Sequence, residues 1–274
     1  FTLHKTLRYG ENPQQQAAFY AEQTQEPSAL THAEKVQGKA LSFNNLSDAE
    51  TAMTCCYAFD KPACVIVKHA NPCGVAFGKT LLEAYTKAFA CDPTSSFGGI
   101  IAFNQTVDGE LIEAIYNKQF LEVIIAPRFT QDAIQAAKLR ERTILLSTGT
   151  NQCTYEGLPD LKRIRGGLLV QDWDTHLVTP QSCQVVTKRT PSPEQWDDLM
   201  FSWQVAKFVK SNAIVMAKEG QTLGIGAGQM SRVFSVEIAQ VKAKEAGLDL
   251  TNAVLASDGF FPFKDNVELA AQFG

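Results

Sequence analysis

Short apolar runs alternate with capped amphipathic stretches through the first half of the chain. Residues 63–68, 99–103, 122–126 and 143–147 read as buried strands, each five or six residues long and rich in Val, Ile and Leu. Between them lie helix patterns with start signals. A Ser47/Glu50 capping box opens a helix running to about Phe59, and a Thr80/Glu83 box opens one to about Ala90. Asp108 starts a helix to about Lys118, and Thr130 caps one to about Arg140. Strands alternating with helices predict βαβ units and a largely parallel sheet covered on both faces.

Residues 21–40 are polar and read as loop, and the pattern weakens again between about 150 and 190. Gly166 to Val170 keeps a strand signature there, and Pro180 and Pro191 punctuate the residues after it. A subdomain boundary is placed at this point, giving units 1–185 and 186–274. In the second, Ser192-Pro193-Glu194 starts a helix to about Lys210 that carries Trp196, Trp203 and Phe208. A hairpin comes next around Glu219-Gly220, then a long helix over about Gln229 to Ala246, then a strand from Ala253 to Ala256. No internal repeat shows in the sequence.

Composition adds little to this α/β reading: 45% apolar, 20% charged, no run long enough for a membrane span and no signal-peptide pattern. A net charge of −4 argues against a nucleic-acid-binding surface. The seven cysteines (55, 56, 64, 73, 91, 153 and 183) are odd in number, form no C-x-x-C and sit mostly in apolar runs. That suits reduced, buried thiols and a cytoplasmic protein. The four histidines have no metal-ligand spacing. The chain opens without Met and stops at Gly274, as a piece of a longer polypeptide would.

The candidate chemistry centres on Lys68-His69, where the first apolar strand breaks off and Asn71-Pro72 turns the chain. Reactive side chains at the carboxyl end of a buried strand are how α/β folds present chemistry. A neighbouring cation disfavours protonation of an imidazole, leaving it able to take a proton. Four further segments could face a ligand. Leu7 to Gln14 offers Arg8 as an anion fork with Tyr9 to pack on a ring. Cys91 to Gly99 is a turn of small hydroxyl residues. Gly224 to Arg232 is glycine-rich and leads into a helix, without a Walker or dinucleotide pattern. Gly259 to Asn266 places three phenylalanines on a loop. His69-Ala70-Asn71-Pro72-Cys73 superficially matches the zinc-deaminase signature, but Asn71 replaces the proton-shuttling Glu and Ala76 the second thiolate.

KHANPCG, DPTSSFGG, SNAIVMAKEG, GIGAGQMSR and SDGFFPFKDN, with LRYGENP and FNNLSD before them, occur in the order and spacing of one family. The chain resembles the AICAR transformylase part of the bifunctional purine-biosynthesis protein, whose other half is an IMP cyclohydrolase. The resemblance implies a pair of cytidine-deaminase-like α/β subdomains, a homodimer with shared active sites, no catalytic metal, and no nucleic-acid or membrane partner. It implies formyl transfer from 10-formyltetrahydrofolate, the co-substrate, to the 5-amino group of AICAR.

Carried over by residue, His69 would be the base, Lys68 would stabilise the oxyanion or protonate the leaving folate nitrogen, and Asn212 would help hold the tetrahedral centre. Arg8, Tyr9, Asn45, Gly98, Glu122, Arg232 and Phe260 match AICAR contacts. Val233, Pro262, Phe263, Asp265 and Asn266 match positions near the folate. The chain departs from the bacterial pattern at Gln14, where His is usual, and keeps a carboxylate at Glu122 where some members have Asp. Members also continue past Gly274 with a strand, a helix and a phosphate-binding Arg. The alternatives are a nucleotide- or folate-binding module without turnover and, from the deaminase likeness, a zinc hydrolase.

Overall fold

The apolar runs fold as short strands, and the polar segments around them add several more. A computed structural model describes residues 1–22, 28–152, 159–176 and 178–274; Cys153 and part of the 21–40 segment lie outside the described residues. In chain order the elements are β1 (Thr2–Leu7), β2 (Ala17–Ala21), β3 (Glu34–Gln37), α1 (Phe43–Tyr57), β4 (Ala63–Lys68), β5 (Asn71–Phe77), α2 (Leu81–Cys91), the single turn α3 (Pro93–Ser96), β6 (Ile100–Phe103), α4 (Gly109–Lys118), β7 (Val123–Ala126), α5 (Gln131–Ala137) and β8 (Ile144–Ser147). Then come β9 (Pro159–Ile164), β10 (Gly167–Asp172), α6 (Pro193–Ala206), β11 (Ile214–Lys218), β12 (Gln221–Gly226), α7 (Arg232–Glu245), β13 (Val254–Ser257) and α8 (Asp265–Gln272).

Nine strands form one mixed sheet in the order β13-β11-β12-β5-β4-β6-β7-β8-β3. Alternate residues of each strand face opposite layers. Val65 and Val67 pack with α1 and α6, whereas Cys64 and Ile66 pack with α2, α4 and α5. A third cluster sets α7 against β11 and β12 through Ile214, Met216, Leu223, Val236 and Ala239. The α/β class holds and both faces are covered.

Several local expectations are corrected. The sheet is not largely parallel: only β6–β7 and β7–β8 are parallel pairs, and the others are antiparallel. The cause is that β4 and β5 form a direct hairpin, with Asn71 to Phe77 a strand although Asn-Pro-Cys-Gly reads as a turn. A register shift at Ile66/Val67 accommodates Pro72 in this central strand. The first long helix is capped by Ser42, not Ser47; Ser42 and Asn45 close a reciprocal box. Thr80 does cap α2, but the Glu83 carboxylate turns to the Lys79 N–H at 2.8 Å. The 21–40 segment contains β3, which completes the sheet edge, and the 91–99 turn contains α3.

The chain also repeats itself, which the sequence did not reveal. The unit α1-β4-β5-α2 recurs as α6-β11-β12-α7, with Asp198, Lys218 and Gly224 following Asp48, Lys68 and Gly74 at one constant offset. A Cβ on Gly74 would overlap the carbonyl oxygen of Ala88, and one on Gly224 that of Ala239, so each glycine lets a helix lie directly on its strand. The two units meet at β5 and β12, on either side of the boundary expected near 185. The ladder there holds one register pair, Gln221 with Ala76, and the Thr222 hydroxyl supplies the next link. Its oxygen accepts the Val75 N–H at 2.9 Å and donates to the Val75 carbonyl at 3.1 Å.

Candidate active site

β4 is buried from Ala63 to Val67, and then the chain surfaces: Lys68 is half-buried and His69 exposed. His69 and Ala70 form a two-residue turn, both with φ of 54°, between the paired Lys68 and Asn71. Non-glycine residues rarely occupy this left-handed region, so the surroundings must hold it. The Asp48 carboxylate of α1 does so, accepting the His69 N–H at 3.1 Å and the Ala70 N–H at 2.7 Å. The Lys68 ammonium donates to the Phe97 carbonyl at 2.7 Å, which leaves it two further donors. The segment carrying Phe97 is pinned in turn. Asp92 accepts the Ser95 N–H at 2.8 Å and meets Lys242 of α7 at 2.9 Å. Burial opposes ionisation of Asp92, but Lys242 and Ser95 outweigh it and hold its carboxyl below the usual range.

A cavity of about 230 Å³ opens here between Lys68, His69, Cys73, Ser95, Ala227 and Lys242. Burial, then the charge of Asp92, pushes the Cys73 thiol up to about 12, so it stays protonated. Among the described residues, no three His, Cys, Asp or Glu side chains gather as a metal cluster.

Strand directions put the remaining candidates on the same rim of the sheet. β4 ends where β6 and β7 begin, beside the end of β12, the start of β11 and the end of β13. Next to the Lys-His turn, Gly98 has a φ of 73° and bonds Phe120, while Glu122 forms an ion pair with Lys39. The N-terminus of α1 reaches this rim too. Asn45 is buried there with its Oδ1 accepting the Ser42 N–H, and the Tyr9 carbonyl accepts the Phe43 N–H at 3.5 Å. Arg8 is exposed and stacks on Tyr9, 5.1 Å from the ring centroid. Gln14 is exposed, and the neighbouring Gln15 folds the loop back onto Gly10 and Asn12.

The other end of the rim holds a second group. The Ser211–Asn212 peptide is cis. Asn212 Nδ2 donates to the carbonyls of Gln229 and Met230, pinning the glycine-rich loop, so the side-chain oxygen is the atom turned away from it. Arg232 forms an ion pair with Asp258 and donates to Ser257 at 2.9 Å. Burial opposes ionisation of Asp258, but bonds from Ser211, Arg232 and the Ala213 N–H keep its carboxyl below the usual range. Val233 is half-buried at the start of α7, Pro262 and Asp265 are exposed, and Phe260 and Phe263 stand out into solvent. Asn266 is buried with its Oδ1 lacking a protein partner.

The two groups are tied through Asn71, whose Oδ1 accepts the Lys210 N–H at 3.0 Å, two residues before Asn212. They are not merged. β7 and β13 lie six strand spacings apart, roughly 29 Å at about 4.8 Å each. Glu122, just before β7, and Phe260, on the loop after β13, therefore lie toward opposite ends of this rim. Asp48, Asn71, Asp92 and Lys242, which shape the site, escaped the sequence reading because each acts across a long stretch of chain.

A family model described as AICARFT/IMPCHase bienzyme matches residues 1–242. The match takes in the Lys68-His69 turn, Asn212, Arg232 and Val233, and stops before Phe260, Pro262, Phe263, Asp265 and Asn266. With most of its length matched, the chain belongs to the AICARFT/IMPCHase bienzyme family, whose members are enzymes of purine biosynthesis.

Proposed function

We propose that this chain is the AICAR transformylase of that bienzyme, moving a formyl group from 10-formyltetrahydrofolate to the 5-amino group of AICAR. The carrying observation is the exposed His69 on a tight turn, with the partly free Lys68 ammonium beside it and a cavity between them. The aryl amine is a weak nucleophile, and charge develops on the formyl oxygen as it attacks. The new C–N bond forms while His69 takes the amine proton. Lys68 directs a free N–H at the oxyanion. Collapse breaks the bond to folate N10, which takes up the proton that His69 removed, giving formyl-AICAR and tetrahydrofolate.

Asn212 has its Nδ2 N–H groups engaged by the Gln229 and Met230 carbonyls, so it acts through its side-chain oxygen, which accepts from the attacking amine. Arg8, Tyr9, Asn45, Gly98 and Glu122 hold AICAR on one half of the rim. Arg232, Phe260 and the folate positions Val233, Pro262, Phe263, Asp265 and Asn266 line the other. The separation between these groups supports a homodimer in which a second copy completes each site. The family's second activity makes an IMP cyclohydrolase domain the covalent partner, and soluble substrates fit a cytoplasmic setting.

The test is product formation from AICAR and 10-formyltetrahydrofolate. His69→Ala and Lys68→Ala should each lose on the order of 10²–10⁴ in kcat. Turnover near wild type in both variants refutes the assignment. Calorimetric AICAR binding with no turnover in the unaltered protein leaves a binding module instead.

A further inference from the structure

Asp48 is the group on which the His69 turn depends, and we infer that it is a positioning residue for the transfer. The inference rests on the formyl-transfer reading above. A two-residue turn fixes the direction of its apex side chain through φ and ψ alone. Here both apex residues are left-handed, and neither is glycine. The side-chain acceptor for the two apex N–H groups is the Asp48 carboxylate, one oxygen to each.

The molecule supplies its own comparison. Asp198 of α6 accepts the Glu219 and Gly220 N–H groups at 2.9 Å each, in a turn with φ values of 53° and 66°. That turn opens on the opposite rim, because β11 runs antiparallel to β4. It carries no histidine, and glycine takes its second position at no steric cost. The same device thus appears once as plain turn support and once beneath the proposed base, where Ala70 makes the turn harder to keep.

Asparagine at position 48 keeps the shape but offers one acceptor and one donor. One apex N–H would then face an N–H, and the turn would reopen. A shift of about 1 Å at a reacting group costs on the order of 10²-fold in rate.

The experiment measures kcat, KM for AICAR and the thermal midpoint for Asp48→Asn, Asp198→Asn, Asp48→Asn/Ala70→Gly and His69→Ala. Asp48→Asn should lower kcat by about tenfold or more with KM within about threefold, because the loss falls on the chemical step. Asp198→Asn should lower the midpoint comparably and leave kcat within about twofold of wild type. Adding Ala70→Gly should recover part of the lost kcat by giving the first turn the glycine that the second already has. Equal kcat losses in Asp48→Asn and Asp198→Asn, or a midpoint change alone in Asp48→Asn, overturn the inference. Inactive His69→Ala beside fully active Asp48→Asn removes the inference and leaves the transfer reading standing. Active His69→Ala removes both.

Discussion

Thr222 is where the two repeated units are joined, and removing one oxygen there measures the joint. The side chain is fully buried, and its hydroxyl serves both the N–H and the carbonyl of Val75. Thr222→Val keeps the volume but leaves that donor and that acceptor buried and unpaired. Each costs about 1–3 kcal/mol, so the variant should lose roughly 2–5 kcal/mol after the small gain from an added methyl. That is a large part of the 5–15 kcal/mol typical of a folded domain. Thr222→Ser keeps both bonds, loses one methyl and should cost only about 1 kcal/mol. Urea unfolding followed by circular dichroism gives both values from the midpoint at constant slope. If Thr222→Val falls within about 0.5 kcal/mol of wild type, or Thr222→Ser is the worse of the two, the hydroxyl is not carrying the joint and the reasoning fails.

Charge and packing each set a further expected outcome. The Asp92 carboxyl lies below its ordinary range when folded, so its stabilisation is present above the unfolded value, about 3.9, and is lost as pH falls through the folded one. Lys242→Met removes the counter-charge; the variant should be less stable at pH 7 yet lose less on acidification below about pH 4, and thermal midpoints that run parallel with pH would contradict this. Gly224→Ala drives a methyl into the backbone of α7 and should cost about 1–3 kcal/mol in denaturant, whereas Gly167→Ala, on an exposed strand with only ordinary contacts nearby, should stay within about 0.5 kcal/mol.

Local chemistry made much of this fold legible. Asp108, Thr130 and Ser192 cap the helices expected of them, because a cap is a contact over three residues. The place of Lys68-His69 at the end of a strand was legible for a similar reason, since an apolar, β-branched run breaks off there. Ser47 misled because Ser47 and Glu50 match the capping-box pattern, whereas the box that closes is Ser42 with Asn45, five residues earlier and without a Glu or Gln. The antiparallel hairpin was hidden because its turn is His-Ala, which carries none of the usual Asn-Gly or Gly-Gly signal. Among the described residues β9 pairs with β10 alone, and β3 is partly polar, so neither shows a buried run. The repeat escaped because it rests on a few residues such as Asp, Lys and Gly at matched places, with mostly unlike side chains between them. Asp48 could be found only once α1 and the turn were seen together, as their bond spans 21 positions.

The chain builds its His69 turn twice, and the second copy carries no histidine. The Glu219-Gly220 turn has the backbone, the carboxylate support and the preceding lysine of its counterpart, on the rim opposite the residues proposed to hold the nucleotide. Glu219→His would place an imidazole there in isolation. Comparing its proton resonances through a titration with those of His69 would separate what the turn itself does to a histidine from what the surroundings of the proposed site add.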